Sequence, residues 1–118
     1  MALRDKILAA SDAKSETVVV PEWGCSLQVR SLTNNERIDW EVACSKKKRG
    51  KITIDPFRLK TSLVVATCFD VDTGAKVFTD DDIDALAGKN AGVIERLFTV
   101  AAILSGVSEQ DETDILGK

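Results

Sequence analysis

Residues 18–36, with the sequence VVVPEWGCSLQVRSLTNNE, join two alternating apolar runs through a corner of Pro, Glu, Trp and Gly. The runs VVV and SLQVR place apolar side chains at every second position, which is the period of half-buried strands. Because Pro21 has no N–H to donate to a neighbouring strand and Gly24 can adopt a positive φ, the turn or bulge is expected between them. We therefore expect a β-hairpin over residues 18–32, with Trp23 at its tip.

A helix start follows this hairpin directly. Thr33 and Glu36 are spaced as in a capping box, in which the hydroxyl and the carboxylate each accept a hydrogen bond from the other residue's backbone N–H. The spacing predicts a helix that begins at Asn34. The apolar side of this helix is expected to contain Ile38, Trp40 and Val42.

Most of the remaining chain also predicts helix, because apolar residues recur at helical spacing between capping residues and helix-stop glycines. The first half should contain a short amphipathic helix that carries Leu3, Ile7 and Leu8 and ends near Ser11 and Asp12, and a central helix that begins at Pro56 after Asp55. The second half should contain a short helix over residues 80–87 capped by Thr79, an apolar helix from Val93 to Leu104 that stops at Gly106, and a polar turn at residues 108–111.

These elements predict the fold class α+β, a mainly α-helical single domain over residues 1–118 with an N-terminal β-hairpin. The chain has 118 residues, 44% hydrophobic and 30% charged, which is enough apolar surface for one buried core and typical of a soluble globular domain. We expect the core to contain Val20, Leu27, Val29, Leu63, Val64, Ile83, Leu86, Ile94, Leu97, Phe98 and Ala101.

The apolar pattern and the cysteines indicate a cytosolic protein. No run approaches the ~18 apolar residues of a membrane span, and the N-terminus MALRDKILAASDAKSE lacks the apolar core of a secretory signal. Cys25, Cys44 and Cys68 are an odd number of cysteines without a C-x-x-C pair, so we expect three small buried hydrophobes in a reducing compartment.

The composition argues against enzyme chemistry. The chain has no histidine and no tyrosine, which removes the commonest general base and every Ser-His or Cys-His nucleophile. It also has no glycine-rich phosphate loop. We expect no catalytic residue, no cofactor and no metal site.

The acidic segment DVDTGAKVFTDDD, residues 70–82, resembles the opening of a calcium-binding EF-hand loop but has the wrong register. With Asp70 as the first ligand, the obligatory glycine falls one position early and no Glu occupies position 12. The favoured interpretation is a second short hairpin, or a loop of extended residues, around Asp72-Thr73-Gly74. Asp80, Asp81 and Asp82 then occupy a helix N-terminus, which stabilises carboxylates.

The run KKKRGK is the strongest charge feature, and it comprises Lys46, Lys47, Lys48, Arg49 and Lys51. One interpretation is a nucleic-acid or nuclear-localisation patch. The favoured one is the solvated, cationic end of the helix from Asn34, released at Gly50, because the overall charge of −3 and the absence of interleaved aromatics do not suit a nucleic-acid surface.

Charge is unevenly divided along the chain. Residues 1–60 contain 12 Lys and Arg against 8 Asp and Glu, a net charge of +4, whereas residues 61–118 contain 4 against 11, a net charge of −7. If the two charges lie on different surfaces, copies attract one another head to tail and form rings or open spirals. The alternative is that the two halves pair within one molecule.

The segment VVVPEWGCSLQVRSLTNNER resembles the opening of the tail assembly chaperones of long, non-contractile-tailed bacteriophages, in its V-P-x-W-G corner, V-x-V-R-x-L strand and T-x-x-E-R helix start. CFDVDTGAKVF and VFTDDDIDALAGKNAGVIERLFTVAAILSGVSEQD are similar to the family's D-x-x-G-x-x-[VL]-F and F-T-D-x-D-[IV]-x-x-L…[IVL]-x-R-L-F…[LI]-S-G-[LV]-[ST] segments. The resemblance spans nearly the whole chain. KKKRGK matches no motif of the family.

This resemblance implies a non-catalytic function in the cytoplasm of the infected host. Such chaperones bind the phage tape-measure protein, keep it soluble while tail-tube subunits polymerise around it, and are not expected in the mature virion. The implied partners are the tape-measure protein and further copies of the chain, head to tail or in a spiral, with no nucleic acid and no membrane. Trp23, Trp40 and the basic run are the candidate contacts, and core packing is the alternative for both tryptophans.

Two other classes remain open. A head–tail connector or tail-completion protein shares the size, acidity and lack of catalytic residues, and it would persist in purified virions. A nucleic-acid-binding regulator would use the basic run and bind with steep salt dependence. The resemblance further implies a longer minor product made by ribosomal frameshifting near Leu116-Gly117-Lys118, where a slippery heptamer can encode the final Gly-Lys. The alternative is an ordinary stop codon.

Overall fold

A computed structural model describes residues 2–107, apart from the side chains of Lys46, Lys48 and Phe57. The expected polar turn at residues 108–111 and the tripeptide Leu116-Gly117-Lys118 lie outside this range. The elements of the first half are α1 (Leu3–Ala9), β1 (Ser15–Val20), β2 (Cys25–Arg30), α2 (Asn34–Ala43), β3 (Ser45–Lys48) and β4 (Lys51–Ile54). The elements of the second half are α3 (Pro56–Thr67), β5 (Cys68–Asp70), α4 (Ile83–Ala87) and α5 (Ala91–Leu104).

The expected N-terminal hairpin is present as β1 and β2, which pair antiparallel with Val20 opposite Cys25 and Val18 opposite Leu27. Between them, Pro21–Trp23 forms a 3₁₀ turn that ends at Gly24 with a φ of 67°. The short strand β5 adds to the other side of β2, so the sheet order is β1-β2-β5. Alternate side chains of the hairpin face the helices, which gives the α+β architecture its core.

The start of α2 is confirmed in detail. The Thr33 N–H donates to Glu36 Oε1 at 2.8 Å, and the Glu36 N–H donates to Thr33 Oγ1 at 3.2 Å, which completes the capping box. The prediction that Ile38, Trp40 and Val42 form the buried apolar side of α2 is wrong for two of the three. Ile38 and Val42 are exposed, whereas Trp40 is buried, because the helix turns the large indole toward α3.

The basic run is not the end of α2, and that prediction is wrong. The helix ends at Ala43, and residues 45–54 form a separate antiparallel hairpin of β3 and β4. Its turn uses Arg49 and Gly50 with φ values of 52° and 77°, the pair of positive angles that a tight hairpin turn requires. The alternating sequence ITI in β4 gives β3 a partner strand, and a strand places successive cations on opposite faces instead of crowding them on one helical turn.

The core lies between the sheet and the helices α3, α4 and α5. All eleven core residues predicted from the sequence are buried. The most apolar helix, α5, ends as expected, with Gly106 at a φ of 73° and the Val107 N–H donating to the Ala102 carbonyl at 2.8 Å. The N-terminal helix α1 forms but ends at Ala9, before the expected stop, and all its side chains are exposed.

The acidic segment forms the expected second hairpin-like turn. Asp70 Oδ1 accepts hydrogen bonds from the backbone N–H groups of Asp72 and Thr73 at 2.8 and 3.2 Å, and a β-bridge joins Phe69 to Lys76. The first ligand of the suspected calcium loop is thus engaged in closing its own turn. Residues Asp80–Asp82 form a 3₁₀ turn, so the following α-helix begins at Ile83 rather than at residue 80.

The cysteines follow the prediction in two of three cases. Cys44 and Cys68 are buried, but Cys25 is exposed because it lies at the start of β2, beside the corner glycine. None of the helices in residues 2–107 has the length and apolar character needed to cross a membrane.

Candidate partner-binding surfaces

The structure separates the candidate contact residues instead of bringing them together. Trp23 is half-buried at the hairpin corner and lines a surface groove. Trp40 is only 2% exposed, and its Nε1 donates to the Leu59 carbonyl at 3.1 Å, so core packing accounts for it here. The basic residues lie on the β3–β4 hairpin, outside the groove of Trp23.

The groove at the corner, called here the Trp23 groove, has a volume of about 360 Å³. Its walls are the half-buried aromatic rings of Trp23 and Phe78, with the buried Leu86 of α4 and the exposed Lys89 beside them. Three separate parts of the chain therefore supply one apolar surface. Two aromatic side chains with their bodies on the core and their edges in solvent are suited to contact an apolar partner.

An ion pair fixes the wall of this groove that carries Trp23. Glu22, its neighbour, accepts two hydrogen bonds from Arg96 of α5, from Nη1 to Oε1 at 3.1 Å and from Nη2 to Oε2 at 2.8 Å. These hydrogen bonds lower the pKa of Glu22 from 4.5 to about 2 and raise the pKa of Arg96. The corner is thus tied to the most apolar helix of the core.

A second groove, of about 320 Å³, adjoins the first one at Lys89. It lies between the beginnings of α3 and α5 and the end of α4. Its apolar lining includes Pro56, Ala87, Ala91 and Ile94, and Lys60 and Glu95 form an ion pair at its margin. Together the two grooves give a mainly apolar path along α4, interrupted by the charge of Lys89.

A third groove, called here the α2 groove, has a volume of about 430 Å³ and lies between α2, α3 and the turn that precedes α4. Its carboxylates are Glu36, Asp39 and Asp80. The remaining lining consists of Trp40, Val42, Ala43, Ser62, Ala66 and Lys76. The α2 groove is therefore a mixed surface, in which apolar side chains alternate with polar ones and carboxylates outnumber cations.

The two oppositely charged halves of the chain pair with each other in part. Among the described residues, three ion pairs join the first 60 residues to the rest of the chain, and they are Glu22–Arg96, Arg58–Asp84 and Lys60–Glu95. Other charges stay free. Within residues 2–107, Lys47, Arg49 and Lys51 form no ion pair, and neither do Asp72, Asp80 and Asp81.

A comparison with protein families decides how these surfaces are to be interpreted. The sequence model of a family described as phage tail assembly chaperone matches residues 2–115. The chain belongs to this family. Among solved structures, it is similar to the tail assembly chaperone of bacteriophage HK97, with a TM-score of 0.60 and 22% identity over 90% of this chain and 96% of that one. At that identity, the likeness shows a shared fold. A search of curated proteins found no match.

Two of the three thiols of this tail assembly chaperone are buried. Burial raises the pKa of the Cys44 thiol to about 11 and that of the Cys68 thiol to about 12, so neither is a thiolate at neutral pH. Within the described residues, no three Cys, Asp or Glu side chains are grouped so as to hold a metal ion. The grooves and the charged hairpin are therefore the candidate contact surfaces of this chaperone.

Several residues of the Trp23 groove were not identified from the sequence of the chaperone. Phe78 lies in the stretch interpreted as a second short hairpin or a loop of extended residues, and Leu86 was expected only in the core. Arg96, which supports the groove through Glu22, had no expected role. The signal for Phe78 is the pair Val77-Phe78 just before a helix cap, which places an aromatic residue where the chain turns back onto the core. No local pattern indicates the contact between Glu22 and Arg96, which are 74 residues apart.

Proposed function

We propose that this tail assembly chaperone binds the phage tape-measure protein in the Trp23 groove, keeps it soluble, and allows tail-tube subunits to polymerise around it. The observation that carries the proposal is the groove itself, in which Trp23 and Phe78 present two half-buried aromatic rings beside Leu86. Membership of the tail assembly chaperone family supports it.

The physical argument concerns the partner's exposed apolar surface. A long helical protein that is not yet enclosed by a tube exposes stripes of apolar side chains at i, i+3, i+4 and i+7, and such stripes drive aggregation. A groove with aromatic walls accepts one turn or more of such a stripe. Lys89 at its rim favours a segment that carries Asp or Glu next to the apolar stripe.

Covering a long partner requires many copies, and we include self-association in the proposal. The free cations of the β3–β4 hairpin and the free carboxylates near Asp80 support a head-to-tail contact, since both remain unpaired within residues 2–107. In this proposal the chaperone covers the tape-measure protein in the host cytoplasm and dissociates before the virion is complete.

The test is co-expression with the tape-measure protein of the same genome, measured as soluble complex after affinity capture. We expect Trp23→Ala to reduce the captured tape measure at least ~10-fold, the usual scale for losing an aromatic anchor. Ile103→Ala is the matched control, because this side chain is large, apolar and exposed but lies outside the groove. Equal capture by the wild type and Trp23→Ala would count against the groove.

The alternative function, a head–tail connector or tail-completion protein, is tested on virions of the phage that encodes this chain. A head–tail connector or tail-completion protein persists in purified virions, whereas the proposed chaperone is absent from them. Quantitative mass spectrometry of purified virions distinguishes the two, and stoichiometric amounts of this chain in virions would contradict the proposal.

A further inference from the structure

The β3–β4 hairpin has an apolar face that continues beyond the body of the molecule. At its base, Ile54 is half-buried and packs against the core. Two residues nearer the tip, Ile52 is 77% exposed. Residues two apart in a strand point to the same side, so the side that is buried at Ile54 becomes an uncovered apolar face at Ile52.

Free positive charges surround this face. Lys47 is directly opposite Ile52 in the strand pairing and therefore shares its side of the hairpin. Arg49 and Lys51 follow at the turn, and none of these three cations forms an ion pair within residues 2–107. A surface complementary to an isoleucine among free cations combines apolar side chains with carboxylates.

The α2 groove has both properties. Val42, Ala43 and Ala66 contribute its apolar lining, and the carboxylates of Glu36, Asp39 and Asp80 outnumber the single cation, Lys76. The Glu36 carboxylate is engaged in the helix cap, whereas the carboxylates of Asp39 and Asp80 form no hydrogen bond or ion pair with another described residue. The exposure of Ile52 shows that the hairpin does not fill the groove of its own chain.

We propose that the β3–β4 hairpin of one copy docks in the α2 groove of a second copy, with Ile52 against Val42, Ala43 and Ala66 and the hairpin cations beside Asp39 and Asp80. A second copy is the occupant because both complementary surfaces belong to the same chain. The inference rests on the self-association included in the proposed function. Since the donating and receiving surfaces differ, the contact is heterologous and extends into a ring or a spiral.

The experiment is charge reversal on each surface, followed by sedimentation velocity at low salt. The hairpin variant is Lys47→Glu with Arg49→Glu and Lys51→Glu, and the groove variant is Asp39→Lys with Asp80→Lys. We expect the wild type to associate with rising concentration and each variant alone to associate at least ~10-fold more weakly, because each opposes like charges in the contact. An equimolar mixture should recover association to within ~3-fold of the wild type, since each variant retains the surface that the other lacks.

Two further variants separate this contact from general charge effects. Arg4→Glu with Lys6→Glu reverses two exposed cations on α1, outside both surfaces, and should leave association within ~2-fold of the wild type. Ile52→Ser changes no charge and should weaken association at least ~3-fold while the thermal unfolding of the monomer stays the same, because the side chain is exposed there.

Three results would each overturn the inference: a wild type that remains monomeric, an α1 variant that associates as weakly as the hairpin variant, or a mixture that shows no recovery. The tape-measure capture assay on the same variants tests the proposed function separately. If folded Trp23→Ala captures as much tape measure as the wild type while sedimentation behaves as expected, the groove proposal fails and the hairpin contact stands as an interaction between copies. If capture survives in the hairpin variant while association is lost, the inference is supported and groove binding is independent of it.

Discussion

Arg96 in the middle of α5 holds Glu22 at the corner of the N-terminal hairpin through two hydrogen bonds, at 3.1 and 2.8 Å. The pair joins the corner of the β1–β2 hairpin to α5, 74 residues further along the chain, and Glu22 is the neighbour of Trp23. Because both side chains are about 41% exposed, water screens the interaction, and its importance lies in orientation more than in stability.

The first prediction is the titration of Glu22. Its pKa is lowered to about 2 by Arg96, so NMR titration of the carboxyl carbon should show a midpoint near that value. Arg96→Met should return the midpoint toward 4.5, and Arg4→Gln, which removes a cation distant in the sequence, should leave it unchanged. Because the folded pKa is the lower one, the pair's contribution to stability is complete above about pH 4.5 and is lost as the pH falls through about 2. A wild-type midpoint near 4.5 would show that the pair does not persist in solution.

The second prediction concerns the buried indole. Trp40→Phe removes the hydrogen bond to the Leu59 carbonyl and leaves unfilled volume beneath α2, so it should lower the free energy of unfolding by ~1–3 kcal/mol in urea titrations. Trp23→Phe is the control, because half of that side chain already faces solvent and the change should cost less than ~1 kcal/mol. The Trp40→Phe variant also leaves Trp23 as the single fluorophore, so binding in the groove becomes visible as a blue shift of its emission. Equal destabilisation by both variants would contradict the core role of Trp40.

The elements predicted correctly from the sequence have local causes. The β1–β2 hairpin follows from a period-2 pattern around Pro21 and Gly24, and the start of α2 follows from two residues three positions apart. The core residues of α5 repeat at helical spacing over one continuous segment. In each case the residues that decide the structure are neighbours in the chain.

The errors arose where the deciding partner lies elsewhere. A run of cations is compatible with a helix end or a strand, and the partner strand with its alternating ITI sequence decides for the strand. On α2, Ile38 and Val42 fit an apolar stripe as well as Trp40 does. The residues that are buried are Trp40, which contacts Leu59 of α3, and Cys44, which follows it by four positions. The Trp23 groove brings together residues from three distant segments, which no periodicity indicates.

The third prediction tests the apolar face of α5. Leu97 is fully buried, and Leu97→Ala should lower the free energy of unfolding by ~2–5 kcal/mol through lost burial and the cavity left behind. Ile103→Ala on the same helix removes a side chain that is 72% exposed and should cost less than ~0.5 kcal/mol. Comparable costs at the two positions, measured by urea titration, would mean that the helix packs with a different face.

The fourth prediction tests the corner that carries Trp23. Gly24 has a φ of 67°, and a Cβ added there would meet no atom within 4 Å, so Gly24→Ala is disfavoured by backbone conformation alone. We expect a loss of ~1–2 kcal/mol in the free energy of unfolding. Gly88 is the matched control, since its φ of −86° suits any residue and its added Cβ would make only an ordinary contact. Gly88→Ala should be neutral or stabilising by up to ~1 kcal/mol. A neutral Gly24→Ala would show that the corner adopts another conformation.

The fifth prediction separates the three thiols by their burial. Cys25 is exposed, whereas burial raises the pKa of Cys44 to about 11 and of Cys68 to about 12. Since the thiolate is the reactive form, a disulfide reagent at pH 8 should modify Cys25 rapidly in the folded protein and reach the other two only through unfolding. The rates for Cys44 and Cys68 should therefore rise with urea in parallel with global unfolding, while that of Cys25 should change little. Cys25→Ser should remove the fast phase and nothing else. A second fast thiol in the folded protein would mean that the end of α2 or of α3, the two helices that line the α2 groove, opens locally.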